Sequence, residues 1–173
     1  MNVIYRPASP EDALSISVLA TQIFLDTYAT GGMRADLAQE ALGIYNVPQL
    51  ATRIASLPPQ FIVAECNAHL VAFTEIVIAD AAPLPALSGG LECKKLYVQR
   101  HFKRMGIGQQ LLQHAEASAK QSTAPCVWLT AYIKNYDAIN FYEAMGYVDV
   151  ARVPYVFEGN SYENIVFSKI ICL

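Results

Sequence analysis

Two segments of the chain hold residues whose types and spacing could do chemistry. The first reads Leu96-Tyr97-Val98-Gln99-Arg100-His101-Phe102-Lys103-Arg104-Met105-Gly106-Ile107-Gly108-Gln109-Gln110-Leu111-Leu112. A strand-like end runs through a basic stretch into a helical pattern that opens on two glycines. Glycines there leave backbone N–H groups uncovered, and the first N–H groups of a helix have no partner inside it. With the positive end of the helix dipole they favour an anion. Lys103 and Arg104 add cationic charge, so a diphosphate suits the place. The string Gly, four residues, Gly-Lys-Ser/Thr of a P-loop is absent. A dinucleotide fingerprint needs a third glycine where Leu111 stands. What remains is the pattern Gln/Arg-x-x-Gly-x-Gly/Ala, with Lys103 in its first place.

The second segment reads Asn135-Tyr136-Asp137-Ala138-Ile139-Asn140-Phe141-Tyr142-Glu143-Ala144-Met145-Gly146-Tyr147. Ala138, Phe141, Tyr142 and Met145 fall on one helical face, and spacing alone reads Tyr142 as a core aromatic. Asn135 suits a helix N-cap, and Gly146 a left-handed C-terminal cap. A third candidate, Glu92, lies early in a strand-like run. It is either a base or a solvated strand carboxylate.

Positioning these residues falls to an alternation of strands and helices. Residues 3–5 read as a first strand. Ser9-Pro10-Glu11-Asp12 reads as a helix start, followed by Ile16, Leu19, Ala20, Ile23 and Phe24 at helical spacing, and Gly31-Gly32 closes the unit. Residues 34–57 read as one or two short helices broken near 46–48, with a hard stop at Pro58-Pro59. Strands are predicted at 61–66 and 70–78 around a tight turn near Asn67, then a loop at 79–90. In the strand at 91–98, Leu91 and Cys93 point one way, and Leu96 and Val98 the other. Either a one-residue bulge near Lys94 or Lys95 restores a single face, or the strand end is buried on both sides. A helix at 106–121 carries an apolar stripe of Ile107, Leu111, Leu112, Ala115 and Ala119. A buried strand at 126–131, a helix at 136–145 and a strand pair at 147–153 and 162–171 complete the chain. The order predicts an α/β chain with one core over residues 1–173.

Hydrophobic residues make up 54% and charged residues 16% of the 173 residues, which suits a packed core rather than disorder. The apolar excess also suits an exposed patch such as a homodimer face or an acyl pocket. Net charge is -3 with one short basic segment, so a local anion site fits better than a nucleic-acid footprint. Cys66, Cys93, Cys126 and Cys172 form no CxxC pair, and His69, His101 and His114 show no metal-ligand spacing, so no metal is expected. No apolar run is long enough to span a bilayer and no signal peptide is evident, which predicts a cytoplasmic protein without membrane contact.

On these two segments the chain resembles the GNAT superfamily of acyl-CoA N-acyltransferases. The first matches the family's pyrophosphate motif at Gly106 and Gly108, with Lys103 where the family prefers Gln or Arg. The second matches its Asn-x-x-Ala-x-x-Phe-Tyr-x-x-x-Gly-Phe/Tyr signature. The resemblance covers most of the chain from residue 61 onward, and residues 1–60 only in outline. Trp128-Leu129 and the run Tyr155-Val156-Phe157-Glu158-Gly159 are similar, in loose outline, to the bacterial spermidine/spermine N-acetyltransferase branch.

The resemblance implies a central, mostly antiparallel, splayed sheet flanked by helices, with acetyl-CoA as cofactor and CoA as product. Backbone groups of Leu96, Tyr97 and Val98 would pair with the pantetheine amides. Lys103, Arg104, Met105, Gly106, Ile107, Gly108 and Gln109 would hold the pyrophosphate, although the glycines also read as ordinary helix-start residues. Asn135 would fix the pantetheine arm or simply cap its helix. Tyr142 would protonate the leaving thiolate. Glu92 would deprotonate the acceptor, a small-molecule or peptide amine, and Phe24, Tyr28 and Tyr155 would wall its site. A non-catalytic acyl-CoA sensor and an oligomerising domain without ligand are the alternatives.

Overall fold

The computed structural model describes residues 2–56, 60–78 and 82–172. Its elements are β1 (Val3–Pro7), α1 (Ala13–Tyr28), α2 (Ala35–Ile44), α3 (Val47–Ile54), β2 (Phe61–Cys66), β3 (His69–Ile78), β4 (Leu91–Val98), α4 (Ile107–Gln121), β5 (Cys126–Tyr132), α5 (Tyr136–Ala144), β6 (Val148–Phe157) and β7 (Asn160–Ile170). The strands form one mixed sheet in the order β1-β2-β3-β4-β5-β7-β6. Ladders β1–β2, β2–β3, β5–β7 and β6–β7 are antiparallel, and β4–β5 is parallel. The mostly antiparallel α/β architecture expected from the sequence is therefore present. The chain divides into two compact units, Met1–Glu75 with Lys95–Leu111 and Ile76–Lys94 with Leu112–Leu173.

In the first unit, Ala64, Cys66, Val71, Ala72, Ile107 and Leu111 form a buried cluster, with Leu96, Val98 and Phe102 packed against it. Leu96 and Val98 share a strand face, as residues two apart must. Tyr97, between them, meets Phe73 with ring centroids 5.4 Å apart and Tyr45 at 6.4 Å. The Thr74 hydroxyl donates to the Lys95 carbonyl at 2.8 Å. The turn joining β2 to β3 places Asn67 and Ala68 at φ 50 and 60, the double left-handed geometry of a tight hairpin. Before α1, a 3-10 turn spans Pro10–Asp12, and the Asp12 carboxylate accepts from the Ser9 N–H at 2.8 Å. The break at 46–48 gives two helices. Asn46 caps the second, and Pro48 lies within its first turn, where a missing N–H costs nothing. The Pro58-Pro59 stop lies outside the described residues.

In the second unit, Leu87, Cys126, Trp128 and Val166 form the buried cluster on one face of β5 and β7. Gly90 is a glycine for want of room: a Cβ there would sit 2.6 Å from Cys126 Sγ. The strand predicted to end at Val153 runs on to Phe157. Pro154 does not stop it, because β6 is an edge strand with a side free of ladder bonds. Glu158 and Gly159, at φ 46 and 74, turn the chain tightly into β7.

Candidate active site

The anion cradle is built where β4 gives way to α4. A 3-10 turn over Arg100–Phe102 ends in Lys103, whose backbone is extended at φ -66, ψ 156. Arg104 and Gly106 then adopt φ 61 and 79, with no positive φ at Met105 between them. Alternating hand along consecutive residues turns successive N–H groups inward and makes a concavity that holds anions. A Cβ at Gly106 would meet nothing within 4 Å, so glycine serves there for its dihedral rather than for space. The α-helix begins at Ile107, one residue later than the sequence pattern placed it, and the first hydrogen bond runs from Gln110 N–H to the Gly106 carbonyl at 3.1 Å. Ile107 and Leu111 tether the helix start to the core, while Lys103, Arg104, Met105, Gly106 and Gln109 are exposed and Gly108 is half-buried. A firm inner face therefore carries an outward, donor-rich and cationic rim. The residues present fit a pyrophosphate.

Tyr97 also belongs to this unit. Its hydroxyl lies 2.9 Å from that of Tyr45, and Lys95 Nζ lies 6.0 Å from the centroid of its ring. Phe24 is buried against Tyr28 and Tyr45, at 4.9 and 6.2 Å between centroids, and Tyr28 is half-buried. The structure thus gathers Phe24 and Tyr28 with Tyr45 and Tyr97, two aromatics that the sequence patterns left unassigned to an acceptor wall.

The second unit holds Glu92, Asn135, Tyr142 and Tyr155. Asn135 caps α5, its side-chain oxygen accepting from Ala138 N–H at 3.3 Å. Tyr142 is buried, 7% exposed, with Phe141, Phe167 and Tyr147 at 5.3, 5.8 and 6.2 Å between centroids. Glu92 pairs in register with Trp128 in the parallel β4–β5 ladder, and that ladder's pairing ends there. Tyr155 lies opposite Tyr162 in the β6–β7 ladder and packs against Phe157 at 5.2 Å.

Beyond the sequence-predicted residues, the buried Trp128 indole nitrogen and Asn164 side-chain oxygen have no hydrogen-bond partner among the described residues. A half-buried ion pair also stands out: Arg53 Nη2, on a side chain 35% exposed, lies 2.9 Å from both carboxylate oxygens of Glu75, which is 2% exposed. No spacing rule joins residues 53 and 75 across a helix and a hairpin, so sequence reasoning had no signal for them. A cavity of about 320 Å³ lies elsewhere in the first unit, bordered by Leu14, Val18, Leu19, Gln22, Leu70 and Gln99. None of the predicted site residues lines it.

Among the described residues, no helix is long and apolar enough to cross a membrane. Residues 30–147 match the model of the acetyltransferase (GNAT) family. An uncharacterized N-acetyltransferase from the pepI 3′ region of Lactobacillus delbrueckii subsp. lactis is 22% identical over 161 residues, 93% of each chain. The PaiA N-acetyltransferase of Thermoplasma acidophilum, solved in complex with coenzyme A, superposes with a TM-score of 0.80 at 20% identity, covering 98% of this chain and 99% of that one. The yncA protein of Salmonella typhimurium, solved with its cofactor acetyl-CoA, gives a TM-score of 0.69 at 19% identity over 100% and 96%.

Proposed function

The chain belongs to the acetyltransferase (GNAT) family, and on that premise we propose that it moves an acetyl group from acetyl-CoA to a primary amine by direct transfer in a ternary complex. The observation that carries this reading is the cradle at the start of α4, with left-handed backbone at Arg104 and Gly106 beside exposed cations. Acetyl-CoA, when bound, supplies a thioester at the end of a pyrophosphate-linked arm. The N–H groups from Arg104 to Gln109 hold the pyrophosphate, with Lys103 alongside. Leu96, Tyr97 and Val98 offer strand-like backbone groups to the amides of the arm, and Asn135 steadies it while capping α5. The backbone N–H near Leu96 meets the carbonyl oxygen as negative charge builds on it.

An acceptor ammonium with a lysine-like pKa of about 10.4 must shed a proton before it attacks. Glu92 takes that proton, directly or through water. As the new C–N bond forms, the C–S bond breaks and the electron pair leaves on sulfur. Tyr142 gives its phenolic proton to that sulfur, and the surplus proton of the newly acylated nitrogen returns to the Tyr142 phenolate, directly or through water, so that the amide and the free thiol are both neutral. Phe24, Tyr28 and Tyr155 contribute aromatic surface to the acceptor, a small-molecule or peptide amine.

Titration with acetyl-CoA followed by thermal unfolding is the first test. Ligand at about 100 times its Kd stabilises the fold by ~2.7 kcal/mol, so an unmoved Tm at saturating concentrations ends the CoA reading. Thiol release across polyamines, amino acids and peptides then identifies the acceptor. Binding without release on any amine would make the chain a sensor.

A further inference from the structure

In the second unit, Tyr142 is held by a closed circuit of contacts that reaches two charged residues far from it in sequence. Gly146, at φ 83, turns the end of α5 left-handed. Gly146 N–H donates to the Glu143 carbonyl and Tyr147 N–H to the Tyr142 carbonyl, each at 3.0 Å. This pair of bonds is the Schellman closure, and it brings the residue after the cap onto the residue one turn before it. Those two residues are Tyr147 and Tyr142, in ring contact at 6.2 Å. The Tyr147 hydroxyl donates to Glu116 Oε1 on α4 at 3.3 Å, and Lys169 Nζ on β7 donates to the same oxygen at 2.9 Å. Lys169 Nζ also donates to the Met145 carbonyl at 3.1 Å and lies 5.6 Å from the Tyr147 ring centroid. A cation at the last carbonyls of a helix is favoured by the helix dipole.

We infer that Lys169, Glu116 and Tyr147 are positioning residues for Tyr142, fixing its ring through the closed end of α5; the inference rests on Tyr142 being the proton donor. The physical reason is the shortness of α5. Nine residues do not make a stable helix alone, so tertiary contacts must set its last turn. Lys169 and Glu116 lie 33% and 20% exposed, so their pairing is partly shielded from solvent and holds a defined geometry. Burial first, and then the neighbouring Cys93 and Glu116, push the Tyr147 phenol well above its ordinary value. Tyr147 thus stays protonated and remains the donor to Glu116.

The test is a kinetic cycle on the full chain with its best amine. Glu116→Gln, Tyr147→Phe and Lys169→Met are each made alone and together with Tyr142→Phe. Alone, each lowers kcat about tenfold with KM for acetyl-CoA within about twofold, since a misplaced catalytic group costs turnover rather than binding. Lys169→Arg, which keeps the charge, retains most of kcat. In the Tyr142→Phe background the three substitutions have no further effect on kcat. If Glu116→Gln does not fold, Tyr147→Phe carries the test, because it deletes one oxygen and keeps the ring contact. Equal losses in both backgrounds, or unchanged kcat in the single variants, overturn the inference while leaving Tyr142 as donor. Unchanged kcat in Tyr142→Phe itself removes the donor and the inference together.

Discussion

The cradle before α4 and the closed end of α5 use opposite means. At the cradle the side chains are exposed and the backbone carries the specificity, through left-handed dihedrals at Arg104 and Gly106. At the end of α5 the backbone closure is common to many helices, and side chains carry the specificity, through the buried rings of Tyr142 and Tyr147 and the half-buried pair of Glu116 and Lys169. The difference teaches where each region tolerates change. A binding surface made of N–H groups withstands loss of side chains and fails when its dihedrals are altered. The proton donor proposed at Tyr142, set in an aromatic core, is expected to fail when one oxygen is removed.

Loss of the Tyr142 hydroxyl is the substitution with the largest expected effect. Tyr142→Phe should lower kcat by about a hundredfold or more, the usual scale for losing a general acid, with acetyl-CoA affinity retained; steady-state thiol release measures it. Next come two changes at Gly106. Gly106→Val forces a β-branched residue into a left-handed conformation at a cost of about 1–2 kcal/mol, and KM for acetyl-CoA should rise about tenfold. Gly106→Asn tolerates that dihedral and should lose much less. Equal losses for Val and Asn would mean that a side chain of any kind blocks the cradle, although a Cβ meets nothing there within 4 Å.

Arg104→Gly separates charge from dihedral. It relieves a non-glycine residue at φ 61 and removes one exposed cation, whose pairing with an anion in solvent is worth about 0.2–1 kcal/mol. KM for acetyl-CoA should rise by no more than about fivefold, by less at high salt. A loss as large as that of Gly106→Val would overturn the claim that backbone dominates.

The smallest effect concerns the scaffold of the first unit. The hydrogen bond from the Arg6 guanidinium, before any other cause, holds the Asp12 carboxyl below its ordinary 3.8. A depressed carboxylate stabilises the fold above its unfolded value, and that contribution fades as pH falls through the folded value. Denaturant unfolding should therefore show stability declining below pH 3.8, and Asp12→Asn should flatten that decline without changing KM for acetyl-CoA.

Much of this was legible in the sequence, for local reasons. Asn135 caps α5 and Gly146 closes it because one-turn chemistry sets both. The helical pattern from Gly106 begins one residue ahead of α4, since Gly106 sits in the left-handed turn before the helix. Strand β6 runs on past Pro154, beyond the stretch 147–153 that the pattern marks, because it lies at the sheet edge, and only the sheet order reveals that edge. Glu116, Lys169 and the pair of Arg53 with Glu75 were invisible. Each depends on elements that meet in space without any fixed spacing along the chain. The composition of the chain said nothing of the hydroxyl contact between Tyr45 and Tyr97 for the same reason.

Strand β6 has a consequence of its own. It borders the sheet and shows Val148, Val150 and Val156 to solvent at 63%, 42% and 61%. Such a border would template cross-molecular stacking if it were straight and fully equipped with donors. The register slips between Asp149 and Ala151, and Pro154 withholds an amide near the strand's far end, before the last pair of Phe157 with Asn160. An oily margin that is bent and short of one donor makes a poor seed for fibrils, so the sequence can carry valines there without inviting runaway polymerisation.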